Sequence, residues 1–495
     1  MIHPKSATFV FLLLSTLWPI SLFASRTPQI ASYRIEVRLV PDAHKLVGRE
    51  VLHWVNPTDD EIPDLWFHLY MNAFKNEEST FMRESGGRHR GFGSKEDDAE
   101  KWGYIDIQRI RRLEPEGVEE ETAATETETT EDPWENLHTR ITFEHPDDLN
   151  EKDQTVARIA LPEPIPPRGT IDLEITFETV MPRIFARTGY EREFYMVGQW
   201  FPKIGVYLPA GHGGVPHGRW NCHQFHANTE FFADYGTYHV EITVPERFVV
   251  GATGRRIERR PAGEAGLLTY VFEQEDVHDF AWTAYPRYRV HREEFPRPKT
   301  QWRTYGDESP LSEKIEITLL YQPEHEKLVA RHMKAIKGAL EAFGRFVGTY
   351  PYDTITLVDP PYFALGAGGM EYPTLITCGS SFIFSLGMFE DVRITEVVLV
   401  HEFGHQYFYG LLGSNEFEEA YLDEGFNSYY EGRVMDAIYG EEASYGSMFG
   451  MPAPSFASAH ISYASRPEGD PIAERAWVFS PGMYSRNTYS KTAIV

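Results

Sequence analysis

The sequence predicts an α+β, multidomain fold in which an N-terminal antiparallel β domain precedes a domain of alternating strands and helices. Three observations support this prediction. The chain has 495 residues, more than a single core usually organises. Apolar residues alternate with polar ones in the first half, as half-buried strands require, and recur at helical spacing in the second. We place the β domain at residues 26–290 and the second domain at 300–495.

Residues 1–25 are typical of an export signal. Lys5 lies in a short polar start, and an apolar run follows from Phe9 to Phe23. An uncleaved membrane anchor is the alternative, but Pro19 makes a spanning helix the poorer interpretation. We therefore expect a periplasmic or extracellular protein, membrane-associated only if the signal is retained, with no other membrane span.

The β domain is predicted from strands with a period of two residues. Alternation is clearest at Tyr33–Leu39 and Ile171–Phe177. Pro, Gly and Asn separate these segments from one another, as turns require. Further strands are predicted at Val51–Val55, Leu65–Tyr70, Tyr238–Val244 and Leu268–Phe272.

An acidic segment interrupts this domain at residues 113–137. It contains ten acidic residues and no lysine or arginine. A segment of this composition buries too little apolar surface to order itself. We predict a disordered surface loop, with a calcium or partner site as the lesser alternative.

Charge and cysteine content exclude two classes of protein. The net charge of −27 makes nucleic-acid binding improbable, because phosphate backbones are bound through a surplus of Lys and Arg. Cys222 and Cys378 are the only cysteines, too few for a disulfide scaffold, and their pairing is left open. Cys222, His223 and His226 have metal-like spacing, but a structural role is favoured because no fourth ligand is evident nearby.

The second domain is predicted to open with a strand at Ile315–Tyr321 and a helix from Val329 to Val347. Another strand is predicted at Thr354–Val358. The glycine-rich segment 366–369 leads into Met370 and Glu371. Its glycines would let an extended peptide approach the backbone closely, and a flexible turn is the alternative.

A metal site is predicted from His401, Glu402 and His405. Histidines four residues apart share one helix face and can bind one cation. Glu402 is offset from both and can act as a general base toward water. A catalytic zinc usually takes a third protein ligand, for which Glu424 is the candidate. Glu431, one helical repeat later, could orient a zinc-bound imidazole.

These motifs resemble those of the gluzincin zinc aminopeptidases, the family of aminopeptidase N and leukotriene hydrolase. HExxH is followed after eighteen residues by a glutamate in an LDEGF segment. Segment 368–373, GGMEYP, is similar to the family's GxMEN substrate-binding strand, and segment 489–491, YSK, to its YxKG motif. Tyr372 replaces the usual Asn, Thr492 the usual Gly, and residues 419–421 a common Trp. The resemblance extends from Tyr33 to the last residue.

The resemblance implies the architecture of the chain and the roles of several residues. The β domain would cover one side of the cleft of a thermolysin-like α/β zinc peptidase domain, and a C-terminal helical part would be missing after Val495. Glu371, with Gly368, Gly369 and Met370, would bind the α-amine of the substrate. Tyr489 would donate a hydrogen bond to the oxyanion of the tetrahedral intermediate.

The predicted function is that of a zinc-dependent aminopeptidase, with one Zn²⁺ per chain, Glu402 and Tyr489 as catalytic residues, and peptides with a free N-terminus as substrates. A thermolysin-like endopeptidase would share the zinc site but has no reason to hold a GxMEN-like segment. An epoxide hydrolase of the leukotriene type and a non-catalytic peptide-binding protein are further alternatives.

Overall fold

The structure is a computed structural model that describes residues 28–89, 92–93, 101–114, 132–212, 215–299, 311–379, 389 and 391–495. The predicted export signal and most of the predicted acidic loop lie outside the described residues, so both remain predictions. Among the helices in these ranges, none has both the length and the apolar character needed to cross a bilayer.

Strands dominate the first part of the chain. Up to residue 221 they are β1 (Ala31–Val40), β2 (Lys45–Val55), β3 (Ile62–His68), β4 (Arg88–His89), β5 (Phe92–Gly93), β6 (Tyr104–Arg112), β7 (Ile141–Phe143), β8 (Val156–Ile165), β9 (Thr170–Val180), β10 (Gly189–Glu191), β11 (Phe194–Val197), β12 (Lys203–Ile204), β13 (Val206–Leu208) and β14 (Arg219–Asn221). After it they are β15 (Gly236–Pro245), β16 (Val249–Ala252), β17 (Arg255–Pro261), β18 (Leu267–Val277), β19 (Trp282–Tyr285), β20 (Arg289–Pro296), β21 (Lys314–Tyr321), β22 (Thr354–Val358), β23 (Leu375–Thr377), β24 (Ser447–Met448) and β25 (Met451–Pro452).

Helices dominate the second part. The α-helices are α1 (Thr80–Ser85), α2 (Val329–Phe346), α3 (Ile394–Gly404), α4 (Phe426–Tyr439) and α5 (Ala457–Ser465). Two segments form π-helical turns, at Tyr421–Gly425 and Arg486–Lys491. Short 3₁₀ turns lie at Pro41–Ala43, Tyr70–Phe74, Leu137–Arg140, Pro323–Leu328, Leu365–Ala367, Glu441–Ala443, Ala476–Val478 and Thr492–Ile494.

The largest sheet of the β domain has seven strands in the order β17-β18-β15-β1-β2-β9-β6. Ile35 and Val37 of β1 point into the core while Glu36 and Arg38 face outward, which confirms the predicted alternation. The sheet is antiparallel except for the parallel pair β1 and β15. The strand predicted to reach Tyr70 ends at His68, because Tyr70 begins a 3₁₀ turn.

Smaller sheets complete the β domain, with strand orders β12-β3-β8-β7, β10-β11-β19-β16 and β13-β14. The second domain is built on a four-stranded sheet of order β20-β21-β22-β23. Strand β20 is antiparallel to β21, and the other neighbours are parallel. Arg289 begins β20, the first strand of the second sheet, close to the domain boundary predicted at residue 290.

The end of the predicted acidic loop is ordered, so the prediction of disorder is wrong for residues 132–137. Trp134 is 8% exposed and packs in the core beneath Arg112, whose guanidinium lies 4.2 Å from the ring centroid. Leu137 is fully buried and opens a 3₁₀ turn. The apolar surface that these two side chains bury stabilises the segment, and the acidic composition of the segment did not indicate it.

One apolar core runs through both domains and supports helix α3. It includes Trp54 and Trp282 from the β domain and Phe343 and Phe403 from the second domain. Phe343 of α2 packs edge-on against Phe403 of α3, with ring centroids 5.7 Å apart. Helix α3 is thereby fixed against α2 along one face.

The opposite face of α3 departs from the sequence prediction. The run from Val397 to Val400 suggested a helix buried on all sides, but Val397 and Val398 are only half-buried. Both line a cavity of about 310 Å³ together with His401 and Glu402. Helix α3 thus has its apolar residues on two surfaces, one against the core and one along a cleft.

Candidate metal centre and active site

The three predicted metal ligands meet at one point. His401 and His405 come from the C-terminal end of α3, and Glu424 comes from the π-helical turn before α4. His401 Nε2 lies 3.0 Å from Glu424 Oε2, and His405 Nε2 lies 3.3 Å from the same oxygen. The two Nε2 atoms are 3.2 Å apart. These three atoms can therefore bind one ion between them.

The π-helical turn at Tyr421–Gly425 directs two consecutive acidic side chains toward the histidines. Neighbouring side chains on an α-helix diverge by about 100°. Here Glu424 lies against the Nε2 atoms of both histidines, while Asp423 Oδ1 lies 2.5 Å from His405 Nδ1. Widening the helical turn allows both carboxylates to face the same site.

Each histidine is oriented by a second carboxylate. His401 Nδ1 lies 2.9 Å from Glu431 Oε2, so Glu431 occupies the position predicted for it. Tyr445 donates its hydroxyl hydrogen to Glu431 in turn. The sequence interpretation missed Asp423 as the partner of His405. A zinc-binding imidazole needs a partner for its other nitrogen, so a carboxylate was to be expected, but the spacing did not indicate Asp423 because it faces His405 only in the widened turn.

The charges at this centre fit a divalent cation. Burial lowers the pKa of His401, but hydrogen bonds to Glu424 and Glu431 outweigh it and raise the pKa to about 10. The pKa of His405 is likewise raised to about 10, because the charges of Glu371 and Glu424 outweigh burial. The site thus attracts positive charge strongly. Two imidazoles and one carboxylate are also the donor set of catalytic zinc sites.

Glu402 lies on α3 between the two histidines and is 4% exposed. Its side chain lines the cavity of about 310 Å³ that also exposes His401, Val397 and Tyr489. It is absent from the group of atoms that can bind the ion. Glu402 therefore stands beside the metal centre, where water and a peptide have access to it.

Tyr489 reaches the centre from the π-helical turn Arg486–Lys491. Its hydroxyl donates a hydrogen bond to Glu424 Oε1, and its ring stacks on His401 with centroids 5.7 Å apart. The structure thus brings Tyr489, which is 65 residues from Glu424 in the chain, to the metal centre.

Glu371 is the fifth carboxylate beside the centre. It is 4% exposed, and its Oε1 has no hydrogen-bond partner among the described residues. One of its oxygens lies within 4.8 Å of ligand atoms of His405 and Asp423. A buried carboxylate oxygen without a donor is costly, so this position favours a bound cation or ammonium.

The segment carrying Glu371 is not the strand that the resemblance suggested. Its ladder contact with the sheet is the single antiparallel bridge between Met370 and Thr377. Gly369 has a φ of 72°, which bends the chain before Glu371. A Cβ at Gly368 would lie 2.5 Å from the Cys378 carbonyl oxygen, so this glycine permits a close approach within the chain itself.

Gln406 connects this segment to α3 and was missed by the sequence interpretation. Its Oε1 accepts a hydrogen bond of 2.8 Å from the Thr374 amide. Its Nε2 donates to the carbonyl oxygens of Tyr372 at 3.2 Å and Glu371 at 3.3 Å. A glutamine following HExxH gives no sequence signal for this role, because the contacts depend on the bend of a distant segment.

A buried ion pair borders the same segment. Arg187 and Glu230, from the β domain, are 5% and 3% exposed and form a salt bridge. Arg187 Nη1 also lies 3.2 Å from Met370 Sδ. Burial lowers the pKa of Arg187, but the charges of Glu230 and Glu371 outweigh it and raise the pKa well above its usual range. Arg187 thus offsets part of the negative charge around Glu371.

The structural interpretation of His223 and His226 is confirmed. His223 Nδ1 lies 2.7 Å from Asp147 Oδ1, and His226 Nδ1 lies 2.8 Å from Glu84 Oε1. The His226 ring stacks on Trp477 at 5.0 Å. The two hydrogen bonds lie within the β domain, and the stacking on Trp477 joins it to the second domain. Both cysteines are buried and free.

Comparisons with known proteins identify the catalytic part of the chain. Residues 332–495 match the "Peptidase family M1 domain". Aminopeptidase B from Mus musculus is 26% identical over 141 residues, which are 28% of this chain and 20% of the relative, and aminopeptidase B from Rattus norvegicus gives the same values. The aligned segment thus spans about a fifth of the length of these curated relatives.

Solved structures share the fold over most of the chain. The M1 zinc metallopeptidase from Deinococcus radiodurans has a TM-score of 0.52 at 16% identity, covering 94% of this chain and 81% of that one. A mutant M1 zinc metallopeptidase from the same organism has a TM-score of 0.53 at 15% identity, with the same coverage. The predicted mixed α/β multidomain fold with a β-rich N-terminal part is confirmed. The resemblance is confirmed over residues 332–495 by the matching domain, and the group of His401, His405 and Glu424 fits the predicted zinc cofactor.

Proposed function

We propose that this protein is a zinc-dependent aminopeptidase that hydrolyses the N-terminal residue from peptides, and the match of residues 332–495 to the peptidase family M1 domain supports this proposal. The observation that carries the proposal is the position of Glu371. Its buried, unpartnered Oε1 lies beside the metal centre, where a free α-ammonium group would satisfy it.

Glu371 would distinguish a free N-terminus from an internal peptide nitrogen by its charge. An internal peptide nitrogen carries no charge and would leave the buried carboxylate unpaired, whereas an α-ammonium pairs with it. The ammonium held at Glu371 places the first peptide bond, a few ångströms along the chain, toward His401 and His405. This geometry favours release of one N-terminal residue over internal cleavage.

The zinc-binding residues would be His401, His405 and Glu424, and the bound ion supplies Lewis-acid activation of water and of the scissile carbonyl. Glu431 and Asp423 hold the two imidazoles in orientation through their Nδ1 atoms.

Proton transfer and charge stabilisation fall to two other side chains. Glu402, at the cavity wall, accepts the proton of the attacking water and returns it to the leaving amine. The Tyr489 hydroxyl, held at Glu424 in the free protein, turns to the substrate carbonyl oxygen as negative charge develops there.

Structures of related proteins support peptide substrates. An M1 zinc metallopeptidase mutant from Deinococcus radiodurans has been solved bound to Tyr-Ser-Ala, at a TM-score of 0.51 and 14% identity to this chain. A two-domain M1 zinc metallopeptidase mutant has been solved bound to L-arginine, at a TM-score of 0.52. A free amino acid and a short peptide are the ligands expected of an aminopeptidase cleft.

The test compares cleavage of free and N-acetylated forms of the same peptides by the full chain. We expect the wild-type protein to cleave acetylated peptides hardly at all. Glu371→Gln should slow cleavage of free peptides and reduce the difference in cleavage rate between free and acetylated peptides. Glu341→Gln, at an exposed position on α2, is the matched control and should behave as wild type. Equal cleavage of acetylated peptides at internal bonds would show a thermolysin-like endopeptidase. Binding without cleavage by the zinc-loaded protein would show a peptide-binding protein.

A further inference from the structure

An arginine cluster lies where the two large sheets meet. Arg255 and Arg256 belong to β17, the edge strand of the seven-stranded sheet, and Arg292 belongs to β20 of the second sheet. All three line a cavity of about 140 Å³. Strands β21 and β22 form one wall of this cavity. Their residues that line it are Glu316, Thr318, Leu320, Thr354 and Thr356.

The positive charge of this cluster is not neutralised by the chain. The protein has 74 acidic residues against 47 basic ones, and arginines such as Arg49 and Arg158 lie within 2.7 Å of a carboxylate oxygen. Neither Arg255 nor Arg256 makes an ion pair within the described part of the chain, and Arg292 Nε lies 3.8 Å from Glu316 Oε1. Three guanidinium groups against one carboxylate leave two positive charges.

The electrostatics of Arg256 agree with crowded cations. Burial lowers the pKa of Arg256, and the positive charges of Arg292 and Arg259 lower it further. Arg255, Arg256 and Arg292 are all exposed to solvent, and their like charges repel, so an anion bound between them would reduce this repulsion.

The wall formed by β21 and β22 supplies hydroxyl groups that the arginines face. Thr318 pairs in register with Thr356 across β21 and β22, and Glu316 pairs with Thr354. Residues two apart on a strand share one face, so these four side chains form one patch. The three threonines are 6–8% exposed. Guanidinium and hydroxyl donors around a small cavity are the groups that recognise oxyanions.

We propose that this cavity is a binding site for a small oxyanion of the phosphate, sulfate or carboxylate class. Its volume of about 140 Å³ has room for a small tetrahedral or planar anion. None of the lining residues belongs to the metal centre, so the site is distinct from the peptidase cleft.

The test is equilibrium binding of inorganic phosphate to the zinc-loaded full chain, measured by titration calorimetry at constant ionic strength with chloride exchanged for phosphate. We expect saturable binding at one site. Arg256→Gln combined with Arg292→Gln should weaken it at least about tenfold, since each arginine donates charged hydrogen bonds. Thr356→Val should weaken it less. Arg247→Gln, which removes an exposed arginine paired with Glu193 at 2.8 Å, should leave the affinity unchanged.

Three results would overturn the proposal. Phosphate binding that never saturates would indicate general screening of charge. An equal loss of phosphate affinity in the Arg247→Gln control would also indicate general screening of charge. Binding that survives in the double variant and is removed by a peptide inhibitor of the active site would place the anion at the metal centre. Thermal unfolding without phosphate establishes that the variants fold. Titrations with sulfate and acetate establish which oxyanion the site prefers.

Discussion

The Oε1 atom of Gln406 accepts a hydrogen bond of 2.8 Å from the amide of Thr374, which joins the end of the metal-bearing helix to the segment that carries Glu371. The Nε2 atom of Gln406 extends this connection to the carbonyl oxygens of Tyr372 and Glu371. Gln406 is therefore one of the contacts that fix the distance between Glu371 and the metal centre, together with the bridge between Met370 and Thr377.

Replacing Gln406 with alanine should impair substrate positioning without removing the metal. The Thr374 amide would be left buried and unpaired, at a cost of about 1–3 kcal/mol, and the segment would move to satisfy it. We expect kcat/KM for free peptides to fall by about tenfold or more, at unchanged zinc content. Gln406→Glu, which retains the acceptor but loses the donor, should be intermediate. Wild-type kinetics in the alanine variant would remove Gln406 from this role.

Glu424→Gln should weaken zinc binding, because a neutral amide is a poor substitute for an anionic ligand. Metal content after dialysis against a weak chelator measures the effect. The matched control is Glu418→Gln, which changes a nearby carboxylate that pairs with His223 instead. If the Glu424 variant retained full zinc occupancy under conditions that strip His401→Ala, the ligand set would be wrong.

Glu402→Gln should retain zinc and lose hydrolysis by about a hundredfold or more, the usual scale for a general base. The side chain keeps its size, so the cavity beside Val397 and Tyr489 should be unchanged. Turnover of a free peptide and zinc content are measured on the same sample. Normal turnover with zinc present would assign proton transfer to another group.

The part of the β domain around His226 should become less stable in alkaline solution. Burial lowers the pKa of His226, but hydrogen bonds to Asp147 and Glu84 outweigh it and raise the pKa from 6.5 to about 9. The folded state therefore holds this proton more tightly than the unfolded state. The stabilisation is complete below pH 6.5 and is lost as the pH rises through 9; its upper limit is about 3 kcal/mol.

Urea unfolding of wild type and His226→Gln between pH 6 and 9.5 tests this. The difference in midpoint between the two proteins should shrink as the pH rises. Asn228→Ala, which changes an exposed side chain two residues away that carries no titratable group, is the control and should give a difference independent of pH. A constant difference for His226→Gln as well would show that its proton does not contribute.

The metal ligands were predictable because their chemistry fixes their spacing. His401 and His405 are one helical turn apart, and Glu424 follows in a motif that admits few other uses. Asp423 and Gln406 were not predictable in the same way. Asp423 faces His405 only because the helical turn is widened, and Gln406 acts through the bend at Gly369. Local pattern does not contain either feature.

Two predictions failed for a related reason. The segment at Met370 was expected to be a strand, but the positive φ of Gly369 leaves one bridge to Thr377. The segment ending at Leu137 was expected to be disordered, but Trp134 finds a place in a core assembled from distant strands. In both cases the deciding contact is far away in the chain. Residues 115–131 lie outside the described residues, so for them the prediction of disorder rests on acidic composition alone.

The π-helical turns at Tyr421–Gly425 and Arg486–Lys491 bring three side chains to the centre, Asp423 and Glu424 from the first turn and Tyr489 from the second. Such a turn is an α-helical turn with one residue added, and the added residue is absorbed within the turn. In genetic terms, an in-frame deletion of one codon from either segment would restore a regular α-helical turn. Side chains within that turn would then point in other directions, since each residue of an α-helix turns by about 100°. Such a deletion should therefore disturb the metal centre while the helix beside it is retained.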